Sequence, residues 1–208
     1  MESLLLSSKN TQECAKRAAE VLRAGGVVIY PTDTLYGLGA DAFSDQAVDK
    51  IYSIKARDVS KPVHCVVPDI EMAEQYGEFS DTARRLAERF LPGPLTLVVP
   101  KKSGVEKGIA RGIETIGFRI PKNDFCLALA NEFDKPYTTT SANISGMPAG
   151  SSSNEILEQL EEAAAHVDLI VDAGTLPAAQ PSTVVRVRND DIEILREGAI
   201  SKTTLRLC

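Results

Sequence analysis

The sequence predicts an α/β fold in which helices flank a sheet of mixed strand direction. Helical and strand patterns alternate from about residue 10 to residue 165, and strand patterns crowd together after that point. Alternation favours parallel strands joined by helices, whereas successive strands favour antiparallel pairs, so the two patterns together favour a mixed sheet. A length of 208 residues, with 43% apolar and 25% charged residues, suits a single folded domain.

Five segments have the apolar spacing of amphipathic helices. Asn10 with Glu13, and Ser152 with Glu155, have the spacing of capping boxes, and Ser44 is placed to cap another helix. The predicted helices cover residues 10–23, 44–54, 80–90, 123–133 and 152–165.

Short apolar runs, most of them rich in β-branched residues, predict the strands. Pro31 ends the first predicted strand and Pro68 ends the second, because proline has no N–H group to donate to the hydrogen bonds between strands. The predicted strands cover residues 27–30, 63–67, 95–99, 115–120, 137–140, 169–171, 183–187 and 192–195.

Composition excludes several classes of protein. The net charge of −6 argues against binding nucleic acid through bulk charge. No apolar run approaches the ~20 residues of a membrane span, and the start lacks a basic, apolar signal segment, so we expect a cytoplasmic protein. The scattered cysteines predict reduced thiols rather than a zinc site or a disulfide framework. They are Cys14, Cys65, Cys126 and Cys208.

The segment from Tyr30 to Gly39 is the first that differs from ordinary core sequence. It follows a predicted buried strand and combines hydroxyl groups, one carboxylate and two glycines. Open α/β sheets hold ligands at such strand ends. A capped turn is the alternative, with Thr32 or Asp33 binding local amides and the glycines adopting positive φ. Taken alone, the segment favours the turn.

Three cations, Lys55, Arg57 and Lys61, fall within seven residues at the end of a predicted helix. They suit the negative end of the helix dipole and equally suit a clamp for phosphate groups. The neighbouring Asp58 either holds Arg57 or is a solvated charge.

Hydroxyl side chains dominate residues 138–146, which follow another predicted strand. A polar loop with side-chain turns is one interpretation. We favour the other, a phosphate cradle made of hydroxyls and backbone amides.

Two single residues stand out in apolar strands. A strand arginine such as Arg119 is usually solvated, and a buried one needs an anion. His64 is interpreted first as a core histidine and second as a ligand contact. The chain lacks the glycine-rich phosphate loops and the serine elbow motif. Its cations and hydroxyls suit a phosphorylated ligand and catalysis by positioning and charge neutralisation.

Taken in order, seven short segments resemble the YrdC/TsaC family of L-threonylcarbamoyladenylate synthases. The resemblance runs from about residue 12 to residue 200, which implies one YrdC-like domain over residues 1–208. The matching segments are 31–39, the K-x-R…K-P stretch 55–62, 92–96, 117–121, 140–146, 181–183 and 196–198.

The resemblance implies a twisted mixed sheet with flanking helices around a large concave, positive cavity. It also implies a nucleotidyltransferase that makes threonylcarbamoyl-AMP and pyrophosphate from L-threonine, bicarbonate and ATP, with Mg²⁺ accompanying ATP. A downstream transferase would use the product to form threonylcarbamoyladenosine in tRNA. Weak contact with tRNA is expected, and contact with a membrane is not.

The family's site residues carry over to matching positions only. Lys55 and Arg57 would be the catalytic charges that neutralise the triphosphate, and no side chain is assigned to metal. The threonine-binding residues would be Thr32, Thr34, His64, Arg119, Thr139 and Ser182. The nucleotide-binding residues would be Lys55, Arg57, Lys61, Thr115, Ser141, Asn143, Ala149 and Arg196.

Two alternatives come from other classes: an RNA-binding module, and a non-catalytic subunit of a tRNA-modification complex. The first would use a stripe of cations, although a solvated face explains these residues better. They are Arg84, Arg85, Arg89, Lys101, Lys102, Lys107 and Arg111.

Overall fold

Ten strands within residues 1–205, the part of the chain that the computed structural model describes, form one mixed sheet. The strands are β1 (Glu2–Leu5), β2 (Val28–Pro31), β3 (Tyr36–Gly39), β4 (His64–Val66), β5 (Leu95–Pro100), β6 (Thr115–Arg119), β7 (Tyr137–Ser141), β8 (Leu169–Asp172), β9 (Thr183–Arg188) and β10 (Asp191–Arg196). Their order is β1-β8-β2-β3-β7-β4-β6-β5-β9-β10. Parallel pairs such as β4/β6 alternate with antiparallel pairs such as β4/β7, so the predicted mixed sheet is confirmed.

Helices pack on both faces of this sheet. They are α1 (Thr11–Arg23), α2 (Asp45–Ile54), α3 (Ile70–Tyr76), α4 (Asp81–Phe90), α5 (Asp124–Phe133), α6 (Ser153–Leu160) and α7 (Lys202–Leu205), with 3₁₀ turns at Gly108–Ala110 and Glu161–His166. Ser44 caps α2 as predicted, because its side chain accepts a hydrogen bond from the Ala47 amide.

The two predicted capping boxes differ from the structure. The Asn10 Oδ1 atom accepts from the Ser7 amide at 2.8 Å, so this side chain serves the preceding loop and the predicted cap is wrong. Ser152 does cap α6, by accepting from the Glu155 amide at 3.4 Å. The Glu155 carboxylate accepts mainly from the Ser151 amide, at 2.8 Å, and the Ser152 backbone amide contributes more weakly to lowering its pKa.

Four elements were not predicted from the sequence: β1, β3, α3 and α7. Strand β3 is hard to predict because glycine is depleted in strands. Gly37 and Gly39 are extended residues there, so the positive φ predicted for them is wrong. Their missing side chains make room for the Tyr30 ring, since a Cβ atom on Gly37 would lie 2.8 Å from Tyr30 Cζ. The predicted helix 152–165 is also too long: α6 ends at Leu160, and Glu161 turns the chain with φ 49°.

Two apolar clusters cover opposite faces of the sheet. The larger cluster includes Cys65 and Phe118 of the sheet and Leu86 of α4. The smaller cluster joins α1 and α5 to one half of the other face, and Val66 belongs to it. The cysteines Cys14, Cys65 and Cys126 are buried and form no disulfide with one another, whereas Cys208 lies outside the described residues.

Strand register places the polar residues on the face of the smaller cluster. Val66 pairs with Arg119 on one side and with Tyr137 on the other, and His64 pairs with Thr139. Because side chains alternate along a strand, His64, Arg119 and Thr139 share the face on which α1 and α5 pack. The polar residues lie beyond the cover of these two helices, and a cavity forms there.

Candidate functional site

A cavity of about 120 Å³ opens where several strands of the sheet begin or end. It contains most of the residues that the sequence analysis singled out. Those lining it are Thr32, Thr34, Arg57, His64, Arg119, Thr139, Ser141, Ser182 and Arg196.

The loop after β2 is both a turn and a wall of the cavity. Thr32 Oγ1 accepts hydrogen bonds from the amides of Thr34 and Leu35, at 3.0 and 3.1 Å. This is the side-chain turn expected of the segment. The Thr34 hydroxyl in turn accepts from Arg119 at 2.8 Å, so the turn also fixes a charged side chain of the site.

Arg119 is buried, and only part of its guanidinium group is used by the protein. Its Nη2 atom donates to Asp33 Oδ1 at 2.5 Å and to Thr34 Oγ1. Its Nε atom is buried and has no hydrogen-bond partner among residues 1–205. A buried donor without an acceptor costs about 1–3 kcal/mol, so an anionic ligand would relieve it. The sequence analysis treated Asp33 only as a turn residue and missed its ion pair.

His64 packs against strand β6 at Gly117, where the strand has no side chain. A Cβ atom on Gly117 would lie 2.4 Å from His64 Cδ2, so the imidazole ring sits directly on the β6 backbone. Burial, followed by the charges of Arg196, Arg57 and Arg119, lowers the pKa of His64 to about 4. The imidazole is therefore neutral near pH 7 and can accept or donate one hydrogen bond.

The lowered pKa of His64 predicts a loss of stability in acid. The unfolded state binds a proton from about pH 6.5 downward and the folded state only near pH 4, so the free energy of unfolding falls across that window. The loss is at most ~3 kcal/mol. Urea unfolding of the natural protein and of His64→Gln at several pH values measures it. A pH-independent difference between the two proteins would contradict the neutral imidazole.

Arg57 and Arg196 are held at the cavity by carbonyl oxygens. Arg57 donates to the carbonyls of Lys61 and Pro62, both at 3.0 Å. Arg196 donates to the Ser182 carbonyl at 2.7 Å and to its hydroxyl at 3.1 Å. These acceptors are neutral, and within the described range 1–205 neither arginine forms an ion pair with a carboxylate.

The electrostatics of the cavity favour an anion. Burial, and then the nearby charges of Arg119 and Arg57, lower the pKa of Arg196. Three guanidinium groups are thus close enough to repel one another, and Asp33 is the carboxylate paired with one of them. A ligand with several negative charges would relieve this repulsion.

Thr96 is a wall residue to which the sequence analysis gave no role. Its hydroxyl lies 2.9 Å from the Ser182 hydroxyl, which also accepts from Arg196. The segment 92–96, which contains Thr96, was one of the seven segments that resemble the family, but no binding role was predicted for any of its residues. The contact joins residues 86 positions apart, so the sequence carried no local signal for it.

Asp58 does not hold Arg57: its carboxylate accepts from the Ser60 amide, and among residues 1–205 its side chain makes no ion pair with Arg57. Of the two hypotheses for Asp58, the structure favours the solvated charge.

Lys55 does not line the cavity. Its side chain is 1% exposed, and its Nζ atom donates to the carbonyls of Ser141 and Asn143 and to Asn143 Oδ1. Burial, and then the charge of Arg57, lower the pKa of Lys55, whereas the three oxygen acceptors around Nζ favour the protonated ammonium. The prediction that Lys55 neutralises a triphosphate directly therefore conflicts with its position, because its donors already face protein oxygens.

Four further predicted nucleotide contacts also lie off the cavity wall. Lys61 is exposed, Asn143 is buried beneath the loop after β7, and Ala149 lies farther along that loop. Thr115 lines a second depression together with Arg186. It shares a face of β6 with Arg119, about 13 Å away along the strand. Their roles remain predictions.

The predicted basic stripe is partly compensated, because three of its seven cations form ion pairs with carboxylates of residues 1–205. It therefore offers less free charge than the sequence suggested. These pairs are Arg84–Glu74, Arg111–Asp49 at 2.6 Å and Lys101–Glu106 at 2.6 Å.

Two features are absent from residues 1–205: a cluster of side chains that could hold a metal ion, and a helix that could cross a membrane. Residues 1–205 contain no cluster of three or more histidine, cysteine, aspartate or glutamate side chains that could hold a metal ion. None of the helices in that range has the length and apolarity needed to cross a membrane.

Comparison with known proteins gives consistent matches. Residues 20–198 match the Sua5/YciO/YrdC family model, which is described as telomere recombination. A Methanocaldococcus jannaschii protein, provisionally named a threonylcarbamoyl-AMP synthase, is 37% identical over 95% of this chain and 93% of its own length. The Bacillus subtilis threonylcarbamoyl-AMP synthase is 36% identical over 94% of this chain.

A solved structure of Pyrococcus abyssi Sua5 complexed with L-threonine superposes with a TM-score of 0.84 at 32% identity, over 95% of this chain. The chain spans only just over half of two of these relatives, 56% of the B. subtilis protein and 57% of the P. abyssi chain.

Proposed function

The chain belongs to the Sua5/YciO/YrdC family, and on that premise we propose that it is an L-threonylcarbamoyladenylate synthase. It is an enzyme that joins L-threonine, bicarbonate and ATP into threonylcarbamoyl-AMP and releases pyrophosphate. The observation that carries this proposal is the convergence of three arginines on one hydroxyl-lined cavity. The P. abyssi relative, whose structure holds L-threonine, supports the same assignment.

Threonine binds on the side of the cavity formed by Arg119. The buried Nε atom of this guanidinium group, which has no partner among residues 1–205, donates a charge-assisted hydrogen bond to the amino-acid carboxylate. The neutral His64 accepts a hydrogen bond from the amino group. Hydroxyls complete this side, contributed by Thr32, Thr34, Thr139 and Ser182.

The nucleotide binds on the side formed by Arg57 and Arg196, next to the Ser141 hydroxyl. Lys61 approaches the phosphates from the rim, and Asn143 and Ala149 support the nucleotide from the loop after β7. Thr115 contacts it farther along β6. For Lys55 we no longer propose direct contact with phosphate.

The reaction needs charge stabilisation and no covalent enzyme intermediate. The threonine amine forms a C–N bond to the carbon of bicarbonate, with loss of water, and gives a carbamate. A carbamate oxygen then attacks the α-phosphorus, and the bond from this phosphorus to the leaving pyrophosphate breaks. Negative charge develops on the phosphate oxygens, where Arg57 and Arg196 stabilise it.

We propose that Mg²⁺ enters with the phosphates of ATP. The described residues supply no carboxylate cluster for it, and Asp33 is already paired with Arg119. The site thus suits a metal carried by the substrate rather than one resident in the protein.

The product is an activated mixed anhydride, so a separate transferase must consume it. We propose that this transferase delivers the threonylcarbamoyl group to adenosine in tRNA, and that this chain touches tRNA weakly at most. We place the reaction in the cytoplasm, which the three buried free thiols support.

Gly117→Ala is expected to impair threonine binding by displacing His64. The new Cβ atom overlaps the imidazole, and such overpacking costs about 1–3 kcal/mol. Thermal unfolding and the KM for threonine measure both effects, and the KM should rise. Gly112→Ala is the control, since φ is +71° there and the space is open, so it should lose stability without changing that KM. An unchanged threonine KM in Gly117→Ala would contradict the role of His64.

Exchange of labelled pyrophosphate into ATP tests the proposal. The exchange should require L-threonine and bicarbonate together, because the nucleotide is transferred only to the carbamate. Exchange without bicarbonate would indicate ordinary amino-acid adenylation. An absence of exchange, despite ATP binding, would instead support the non-catalytic subunit.

A further inference from the structure

The ammonium group of Lys55 occupies a cage of oxygen atoms. It donates to Ser141 O, to Asn143 O at 2.9 Å and to Asn143 Oδ1 at 2.8 Å. A lysine ammonium has three N–H donors and no acceptor. Each donor therefore has an oxygen partner, and the 1% exposure of the residue leaves no path to a phosphate.

The caged ammonium is connected to the wall of the cavity. Asn143 Oδ1, which accepts from Lys55, also accepts from the Ser141 hydroxyl at 2.6 Å. The Ser141 hydroxyl lines the cavity. The orientation of this wall residue thus depends on the position of the Asn143 side chain, which Lys55 fixes.

The backbone of the same loop forms hydrogen bonds within the protein. The amides of residues 142–145 donate to protein oxygens, so these four amides do not form the predicted cradle for phosphate. The bonds run from Ala142 N to Tyr36 O (2.9 Å), Asn143 N to Ser141 O (3.0 Å), Ile144 N to Gln159 Oε1 (3.0 Å) and Ser145 N to Lys55 O (2.8 Å). Lys55 therefore contacts the loop through both its backbone and its side chain.

We infer that Lys55 is a positioning residue whose ammonium group holds the loop 141–147 in its nucleotide-binding shape without touching the nucleotide. This inference rests on the proposed function, because the loop serves the nucleotide of that reaction. Loss of the ammonium leaves three buried oxygens without their donor, which opens the loop. Threonine binds on the other side of the cavity, so its binding is spared.

The variant Lys55→Met separates this role from direct phosphate contact. Without any ligand, amide exchange of residues 142–145 should accelerate by about 10-fold or more, as expected when buried oxygens lose a donor. The KM for ATP should rise about 10-fold, whereas the KM for threonine should change less than about twofold.

Arg57→Ala is the matched control. It removes a cavity charge and should leave the amide exchange of the loop as it is in the natural protein. If Lys55→Met raised the KM for ATP while its ligand-free loop exchanged as in the natural protein, the inference would be overturned. An equal loss of ATP and threonine binding by a folded Lys55→Met protein would also overturn it.

A measurement on the unaltered protein covers the case in which Lys55→Met does not fold. On addition of ATP, the ¹⁵Nζ resonance of Lys55 should stay in place while the ¹⁵Nε resonance of Arg57 moves. The opposite pattern would overturn the inference. If neither resonance responds to ATP, the proposed function fails. Where Lys55→Met folds, the ligand-free exchange of its loop still decides separately whether Lys55 holds the loop.

Discussion

Arg57→Ala is expected to lower kcat/KM for ATP by roughly 10²–10³-fold, the usual effect of removing one preorganised charge from a developing anion. Two carbonyl oxygens hold the Arg57 guanidinium at the cavity, and no carboxylate among residues 1–205 forms an ion pair with it. Its charge is therefore available to the phosphates in the transition state. Steady-state release of pyrophosphate measures the effect.

Arg84→Ala is the control for loss of a positive charge. Arg84 is exposed and pairs with Glu74 away from the cavity, so the variant should keep the activity of the natural protein. Arg57→Lys restores the charge without the two-point geometry and should recover only part of the rate. Near-natural activity of Arg57→Ala would remove Arg57 from the phosphate site.

Arg119→Ala is expected to raise the KM for threonine by about 100-fold or more, with a much smaller change in the KM for ATP. The substitution removes the proposed partner of the substrate carboxylate. It also leaves the partly buried carboxylate of Asp33 without its cation, so the free energy of unfolding should fall as well. Steady-state kinetics with each substrate varied in turn measure the two KM values.

Arg119→Lys distinguishes substrate binding from folding. It keeps a positive charge beside Asp33 and so limits the loss of stability, but it lacks the fork that a carboxylate fits. Its threonine KM should still rise about 10-fold. Equal changes in the KM values for threonine and ATP would mean that Arg119 serves both substrates, contrary to our assignment.

The features that could be predicted best from the sequence are those that depend only on neighbouring residues in the chain. The caps of helices such as α2, and the hydroxyls that end β2 and β7, follow from neighbouring residues, and the cavity forms among them. Arg119 also stood out, because a cation in an apolar strand needs an anion. The structure adds that the anion provided by the protein is Asp33.

What the sequence could not predict depends on contacts between distant segments. The hydroxyl pair of Thr96 and Ser182 arises because β5 and β9 are neighbours in the sheet. The direction of the Lys55 side chain is another example. Spacing from Arg57 suggested a shared phosphate, whereas burial against the loop after β7 turns the ammonium inward. Strand β3 was missed because glycine is rare in strands. Glycine occurs at positions 37 and 39 because the Tyr30 ring packs against the backbone there, a contact that the sequence does not reveal.

The central claim is that this cavity joins a threonine carbamate to the nucleotide, and isotope labelling tests it most directly. The purified protein is incubated with ATP, Mg²⁺, ¹³C-bicarbonate and ¹⁵N-threonine, and the mass of the adenylate product is measured. We expect one AMP conjugate that carries both labels. A conjugate carrying the nitrogen label without the carbon label would be threonyl-AMP and would contradict the account.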